Sequence, residues 1–229
     1  MSFWQWFSVY CLGNLFFWWV AFIAISVISY PLVRRFRLWR SKVRFMEAQS
    51  ARLANPQNAD VRFQLAHLHA EGGSWRRAEE HARDAVRVAG ENPLFEGQVP
   101  YHYLLLLGQA LYRRARYGEA VEAFVKAIEA KAERGHGDAK FGLGKALFRK
   151  GEPAKAVDAY RQALEENQSV LEVYFRLAQA AAALGKESEV ESARAEFRRV
   201  AATLPRFAGR QRFRWRLAFF LFPLARHLA

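Results

Sequence analysis

Cysteine is nearly absent from this chain, since Cys11 is the only one among its 229 residues. A single cysteine excludes a disulfide within the chain, so the sequence does not indicate an oxidising compartment. A lipid attachment at Cys11 is not expected either, because the large Tyr10 precedes it and no charged segment lies upstream. We interpret Cys11 as a small apolar residue of a membrane helix.

Charged residues are missing from positions 1–33, and acidic residues are missing from positions 206–229. The net charge of +13 is therefore uneven: residues 34–50 carry +5, residues 206–229 carry +6, and residues 51–205 carry the remaining +2. Basic residues beside apolar runs fit anionic lipid headgroups, at about 1 kcal/mol per residue near the surface. Nucleic acid is not the expected partner, because the basic residues adjoin apolar segments.

The N-terminal segment has almost no polar side chain between residues 15 and 33. As a helix it would extend about 28 Å at about 1.5 Å per residue, close to the thickness of a bilayer's hydrocarbon core. Five of the seven tryptophans lie in or beside this segment, as is typical of membrane interfaces. Neither a positive n-region nor a clear cleavage site indicates a signal peptide. The sequence therefore predicts an uncleaved transmembrane anchor in residues 1–33.

A basic juxtamembrane segment, residues 34–58, follows the predicted anchor at once. Its first basic residues are Arg34, Arg35, Arg37, Arg40, Lys42 and Arg44. Because positive residues mark the cytoplasmic side of a span, we expect the rest of the chain to be cytoplasmic and Arg34, Arg35, Arg37 and Arg40 to lie at the membrane surface. The compact layout and the high alanine and arginine content favour a bacterial inner membrane.

Small residues recur in pairs, twelve positions apart, through the middle of the chain. The pairs are Ala66 with Ala78, Gly108 with Ala120, Gly144 with Ala156, and Ala178 with Val190. Successive pairs begin 42, 36 and 34 residues apart. The best-defined copy contains Leu104, Leu107, Gly108, Leu111, Ala120, Phe124 and Ala127. These residues and spacings resemble the tetratricopeptide repeat family, whose period is 34 residues.

This resemblance covers residues 59–204 and implies an all-α solenoid of about four helix–turn–helix repeats. Small residues let the two helices of a repeat approach closely, while Phe124 and Tyr160 fill the gap between repeats. Glycine is expected to end a first helix in a left-handed conformation. The glycines concerned are Gly73, Gly151 and Gly185, and Arg116-Tyr117-Gly118 replaces this turn in the second copy. The extra residues of the first interval are predicted to form a loop from Gly90 to Pro100.

In this family, the first helices of the repeats form a concave surface that holds protein partners. The resemblance therefore implies a partner-binding groove. Its residues here are Phe63, His67, Gln109, Tyr112, Arg113, Phe141, Lys145, Phe148, Arg149, Phe175 and Gln179. This aromatic and basic set favours a protein or peptide ligand with acidic and aromatic side chains. The alternative, that these residues only pack between helices or face solvent, stays open.

One subfamily grips an acidic C-terminus with a clamp of lysine and asparagine. Here Phe63 stands where the clamp expects lysine, and His67 and Gln109 stand where it expects asparagine. A chaperone C-terminus is therefore not the expected ligand.

Motifs for catalysis or cofactor binding are weak in this sequence. Residues 142–145 resemble the end of a phosphate loop, but Ala139 replaces its first glycine and Ala146 its Ser/Thr. His67 and His69 lie on different helix faces, and no cysteine joins them, so no metal site is expected. Since no nucleophile, base and orienting group can be assembled, we expect neither an enzyme nor a cofactor.

The C-terminal tail, residues 205–229, alternates basic with aromatic or polar residues and becomes wholly apolar over residues 217–225. Nine apolar residues are too few to span a bilayer. With Arg212, Arg214 and Arg216 beside them, they would lie in the headgroup plane. The alternative is that the tail packs on the last repeat or on a partner subunit, and the sequence leaves both open.

Together these features predict a single-pass membrane protein. Its repeat domain would act as a scaffold or adaptor that binds protein partners at the cytoplasmic face, where the tether raises their local concentration. Anionic lipid headgroups are the second expected partner. The alternative function is a structural or assembly subunit of a larger membrane protein complex, in which neighbouring chains hold the anchor and the tail.

Overall fold

The structure, a computed structural model, describes residues 42, 44–49, 51–55, 58–92, 98–130, 137–204 and 209–226. The chain divides into two compact units, Met1–Ala54 and Asn55–Ala229. In the first unit, the described stretches 44–49 and 51–54 are helical. The predicted anchor lies outside the described residues, as do Arg34, Arg35, Arg37 and Arg40. Within those ranges, no helix combines the length and the apolar character needed to cross a membrane.

In its described part, the second unit consists of nine α-helices and no strand. They are α1 (Ala59–Glu71), α2 (Trp75–Glu91), α3 (Tyr101–Arg113), α4 (Tyr117–Glu129), α5 (Gly137–Lys150), α6 (Pro153–Glu166), α7 (Leu171–Ala183), α8 (Glu187–Thr203) and α9 (Gly209–Arg226). From α1 to α8 each helix packs on the next, so the eight helices form four helix pairs. The first helix of each pair also contacts the first helix of the next pair, in the order α1, α3, α5 and α7. This confirms the predicted all-α array of helix pairs.

Glycine allows the helices to cross closely around two buried aromatic rings. A Cβ atom added at Gly108 would lie 2.7 Å from the ring of Phe124, and one added at Gly142 would lie 2.5 Å from the same ring. At Gly144 the added Cβ would lie 2.5 Å from the ring of Tyr160. Both rings are almost fully buried. The predicted role of Phe124 is confirmed, because its ring lies between the first helix of its own repeat and that of the next. Tyr160 packs on the first helix of its own repeat and belongs to one buried cluster with residues of the last repeat.

The turn inside each repeat has the same backbone geometry four times. Gly73, Gly151 and Gly185 have φ values of 75°, 92° and 72°, which confirms the predicted left-handed turns. In the second repeat the left-handed residue is Ala115, at φ 59°, whereas Gly118 lies inside α4. A hydrogen bond closes every turn, from the N–H of the next residue to a carbonyl five residues back. The pairs are Ser74 with His69, Arg116 with Leu111, Glu152 with Leu147, and Lys186 with Ala181, at 2.8–3.0 Å.

The predicted loop from Gly90 to Pro100 begins later than expected. Helix α2 has 17 residues and continues to Glu91, so Gly90 belongs to its last turn. Packing explains the difference, because Val88 and Ala89 are buried in one cluster with Tyr103 of α3. Tertiary contacts therefore stabilise a helical turn that the glycine would weaken in isolation.

A buried carboxylate joins the first repeat to the second. Glu79 on α2 is 3 % exposed and accepts hydrogen bonds from Arg83 at 2.9 Å, from Arg114 at 2.5 Å and from Arg116. Arg83 and Arg116 also bond to Glu119 on α4. Burial by itself would raise the pKa of Glu79, but the bonds from Arg83 and Arg114 and the nearby guanidinium charges lower it on balance.

The C-terminal tail forms α9, and one face of this helix packs on the last repeat. The ring of Phe219 lies 5.3 Å from that of Phe175 on α7 and 4.6 Å from that of Phe197 on α8. Trp215 lies 5.5 Å from Phe175. The face of α9 that carries Trp215 and Phe219 therefore packs on the last repeat, which is one of the two alternatives that the sequence leaves open. A contact between the tail and a membrane stays a prediction.

Replacing Gly144 with alanine should destabilise the array by about 1–3 kcal/mol, because the methyl group must displace the buried ring of Tyr160. Gly118→Ala is the matched control, since nothing lies within 4 Å of its Cβ position. There the higher helix propensity of alanine should leave stability unchanged or raise it by up to about 1 kcal/mol. Urea unfolding of the full chain in mild detergent, followed by circular dichroism, measures both. Equal effects of the two substitutions would contradict the packing argument.

Ala115→Gly should stabilise the second repeat by about 0.5–1 kcal/mol. Relief of the left-handed conformation gains about 1–2 kcal/mol, and the greater freedom of glycine in the unfolded chain offsets part of it. Ala202→Gly on the exposed side of α8 should instead destabilise, because that residue is helical. Thermal unfolding compares the two variants, and a lower midpoint for Ala115→Gly would refute the strained-turn interpretation.

Glu79→Gln should lower the free energy of unfolding by about 1–3 kcal/mol, since neutralising it weakens three charge-assisted bonds. Because the pKa of Glu79 is lowered by folding, its stabilisation is present above the pKa of the unfolded chain and is lost as the pH falls through the folded value. The variant should therefore lose less stability than the parent protein below about pH 4. Glu80→Gln, at an exposed residue paired with Arg76, is the control. Identical acid profiles for Glu79→Gln and the parent would exclude the proposed role.

Candidate functional site

A lysine held between aromatic rings lies at the centre of the layer of first helices. The ammonium nitrogen of Lys145 on α5 is 4.3 Å from the ring centroid of Phe141 and 5.6 Å from that of Tyr112. Phe141 and Lys145 are four residues apart, so they share one face of α5. Tyr112 comes from α3, which packs beside α5. Three predicted groove residues from two repeats are thus brought together, and we call Tyr112, Phe141 and Lys145 the central cluster.

The surroundings of Lys145 contain charged groups of both signs, and burial has the largest effect on its pKa. Burial lowers that pKa, Glu172 on α7 raises it, the guanidinium groups of Arg176 and Arg113 lower it further, and Asp138 on α5 raises it. Glu172 is already paired with Arg176, whose Nη2 is 3.3 Å from the carboxylate. Within the described ranges, no carboxylate lies within 4.0 Å of the Lys145 nitrogen. The site therefore contains a half-buried cation that no acidic group of the described chain neutralises directly.

Arginines extend this positive surface along the first helices. Arg113 is exposed, and its guanidinium carbon lies 5.2 Å from the ring centroid of Trp75. Arg149 is also exposed, one turn beyond Lys145 on α5. Phe148 is half-buried and packs against the core of the last two repeats. These three predicted residues border the central cluster, and only Phe148 is committed mainly to packing.

The predicted residues of α1 lie apart from the central cluster. Phe63 is half-buried, stacks on Tyr103 at 4.9 Å and meets the edge of His102 at 4.8 Å. It therefore fills the contact between α1 and α3. His67 is exposed, with its Nδ1 3.7 Å from a carboxylate oxygen of Glu71. Gln109 on α3 is exposed as well.

The two predicted residues of α7 are engaged by neighbours. Phe175 contacts Trp215 and Phe219, so α9 lies over the position that the groove prediction gave to a ligand. Gln179 accepts a hydrogen bond of 3.0 Å from Arg176. In the fourth repeat, Phe175 therefore packs against α9, and its contact with a ligand stays a prediction.

Sequence reasoning missed Arg176, Glu172 and Trp75. The residues equivalent to Arg176 in the other repeats are Gln64, Leu106 and Gly142, so the repeat pattern gave this position no functional weight. The position of Arg176 near Lys145 follows from the packing of α7 beside α5.

Only some of the residues predicted to lie at the membrane surface belong to the described part of the chain. The side chain of Arg212 lies outside the described set, whereas Arg214 and Arg216 are exposed on α9. The guanidinium carbon of Arg214 is 4.8 Å from the ring centroid of Trp215. Contact of these arginines with a membrane stays a prediction.

The arrangement of the central cluster suits a ligand with a carboxylate and an apolar group. A carboxylate beside Lys145 would form a charge-assisted bond in a partly desolvated site, where such bonds are stronger than in water. The rings of Tyr112 and Phe141 offer flat apolar contacts next to it.

Comparisons with known proteins agree with this architecture. A sequence profile of the family described as tetratricopeptide repeat matches residues 63–139, 105–170 and 141–209, together more than half of the chain. No curated protein sequence matches.

Solved structures share the fold at low sequence identity. MamA from Desulfovibrio magneticus RS-1 is 14 % identical, with a TM-score of 0.58 over 73 % of this chain and 87 % of that one. YrrB, described as a TPR protein with an unusual peptide-binding site, is 23 % identical, with a TM-score of 0.55 over 66 % and 72 %. Pseudomonas aeruginosa pilF is 19 % identical, with a TM-score of 0.59 over 77 % and 75 %. These likenesses concern the fold alone, whereas the profile match extends across all four helix pairs, and the chain belongs to the tetratricopeptide repeat family.

Proposed function

We propose that this protein is a scaffold that binds acidic segments of partner proteins at the central cluster. The observation that carries the proposal is the half-buried ammonium group of Lys145, which lies between two aromatic rings without a directly bonded carboxylate in the described chain. A ligand carboxylate would supply the missing partner.

Electrostatics favours an acidic ligand over a neutral or basic one. Burial lowers the pKa of Lys145, and so do the positive charges of Arg113 and Arg176, which repel its ammonium group. Glu172 and Asp138 raise this pKa, but neither carboxylate lies within 4.0 Å of the Lys145 nitrogen. A carboxylate bound here would relieve this repulsion as well as the cost of burying the lysine. A basic peptide would add to the repulsion, so the site would discriminate between peptides first by their charge.

Aromatic contacts add a second requirement. Tyr112 is half-buried and its ring lies 5.7 Å from that of Tyr117 on α4, so it is held in place. Phe141 is likewise packed, with its ring 5.9 Å from that of Tyr160. Because these rings are already ordered, a ligand side chain that stacks on them pays little additional ordering entropy from the protein. An acidic residue next to an aromatic or aliphatic one fits this surface.

Family membership supports a role in binding and not in catalysis. Tetratricopeptide repeat proteins generally serve as non-catalytic scaffolds for protein interactions, since their stacked helices present an extended surface. Of the solved neighbours, YrrB is described as having a peptide-binding site. The central cluster has Lys145, with Arg113 of α3 and Arg176 of α7 nearby, and it does not reproduce the lysine–asparagine clamp.

The membrane location is a second part of the proposal. The uncharged residues 1–33 and the basic residues that follow support a single-pass anchor with the repeats at the cytoplasmic face. A tether of this kind would hold bound partners at the membrane and raise their effective concentration there.

Selection of short random peptides on the full chain in mild detergent should enrich sequences that place Asp or Glu beside an aromatic or aliphatic residue. Lys145→Met keeps the apolar stem and removes the charge, so it should weaken binding of a selected peptide by about 10–100-fold, as expected for a bond to a charged group. Titration calorimetry at two salt concentrations measures the change.

Lys155→Met is the matched control, because Lys155 is exposed on α6 and pairs only with Glu152 among the interactions described. It should leave the affinity within about twofold of the parent protein. Selected peptides without acidic residues, or peptides whose affinity is the same for Lys145→Met and the parent, would refute the proposed site.

A further inference from the structure

Helix α9 has a stripe of large apolar side chains that are exposed to solvent instead of packed in the core. Phe213, Leu217 and Phe220 are 69 %, 46 % and 75 % exposed. Their spacing of four and three residues places them on one face of the helix. The opposite face carries Trp215 and Phe219, which already pack on the last repeat. The exposed stripe is therefore additional to what holds α9 in place.

Positive charge borders this stripe on both sides. One residue after Phe213 comes Arg214, and one residue before Leu217 comes Arg216, so the two arginines project from opposite edges of the apolar face. Both are exposed. The last 24 residues contain six arginines and no acidic residue, so the helix has no local source of negative charge.

The neighbouring helix α8 continues the surface. An open cavity of about 640 Å³ lies between the two helices. It is lined by Arg194, Phe197, Arg198, Arg216, Phe219 and Phe220. Arg194 is paired with Glu191 at 2.6 Å, whereas Arg198 and Arg216 have no acidic partner in the part of the chain that the structure describes.

We propose that α8 and α9 form a lipid-binding surface that inserts Phe213, Leu217 and Phe220 into the headgroup region of an anionic bilayer. Arg198, Arg214 and Arg216 would then bond to lipid phosphates. An apolar stripe with basic edges is the arrangement of a helix that lies in a membrane interface. Long arginine side chains can reach the phosphates while their stems cover apolar surface. This surface is separate from the central cluster and goes beyond peptide binding.

Charge complementarity favours an anionic bilayer over a second copy of the chain as the binding partner of this surface. A two-fold dimer through this face would bring the same arginines of both copies together, with no acidic residue of α9 to neutralise them. An anionic lipid surface instead offers many phosphates to all three arginines at once. A second copy and an acidic protein are therefore outcomes for the experiment to exclude.

The test places a polarity-sensitive fluorophore on the full chain at Phe213→Cys, in a Cys11→Ser background. The chain is moved from detergent into vesicles of phosphatidylcholine alone or of phosphatidylcholine with phosphatidylglycerol. The emission should shift to the blue in the anionic vesicles and less, or not at all, in the neutral ones. Added salt should reduce the shift. The same label at Gln162→Cys, on the exposed side of α6, should not respond.

Combining Arg198→Gln, Arg214→Gln and Arg216→Gln should abolish the shift, since each arginine contributes about fivefold to lipid affinity at about 1 kcal/mol. Arg76→Gln, Arg87→Gln and Arg161→Gln together remove the same charge from exposed positions elsewhere and should leave the shift unchanged. Circular dichroism confirms that both triple variants stay folded.

Three results would overturn the lipid surface. They are equal emission in both vesicles and in detergent, a shift that persists without the three arginines, and a shift that grows with protein concentration in detergent, which would identify a second copy. Peptide binding at Lys145 is measured in detergent without lipid, so its failure is distinguishable from failure of this proposal.

Discussion

Close crossing of two helices around a buried ring is the contact on which the rest of this molecule depends. Tyr160 can reach the backbone of α5 only because Gly144 has no side chain, and Phe124 depends in the same way on Gly108 and Gly142. Each ring excludes water from a junction that would otherwise contain a gap. With the junctions closed, successive first helices lie side by side, and their outward residues form one continuous surface.

The central cluster is a consequence of that close stacking. Tyr112, Lys145 and Arg176 belong to three different repeats and are 31 or more residues apart in sequence. They share an electrostatic environment because α3, α5 and α7 are adjacent. The array thereby brings Arg113, Lys145 and Arg176 of three repeats near one another although residues 51–205 carry a net charge of only +2. Glu79 and Glu119 form salt bridges with Arg83 at the joint between the first two repeats.

The C-terminal helix completes the array and also gives it a different kind of surface. An end repeat must cover its own apolar face, and α9 does so with Trp215 and Phe219. Phe213 and Phe220 of α9 are exposed, and the basic residues beside them contrast with the near-neutral repeats. Binding of proteins along the first helices and contact with lipid at the end would therefore be physically separate within one unit.

Much of the fold could be predicted because the tetratricopeptide pattern is local. Small residues twelve positions apart, glycines at the turns and rings at Phe124 and Tyr160 follow from sterics within a helix pair, and the sequence displays them directly. Ala115 escaped prediction because alanine rarely adopts positive φ, and the closing bond from Arg116 to Leu111 holds it there. The sequence predicts a loop at Gly90, whereas the structure has a helical turn there, because that turn depends on burial of Val88 and Ala89 against another repeat.

By itself, then, the sequence determined the repeat architecture, the positions of its turns and the basic character of its flanks, since these depend on spacing and composition. Only the tertiary structure decided which groove residues meet. It separated Phe63 and Phe175, which pack against neighbouring helices, from Tyr112, Phe141 and Lys145, and it added Arg176. The physical reason is that contacts between repeats depend on how helices stack, and residues at equivalent positions of a repeat meet different neighbours.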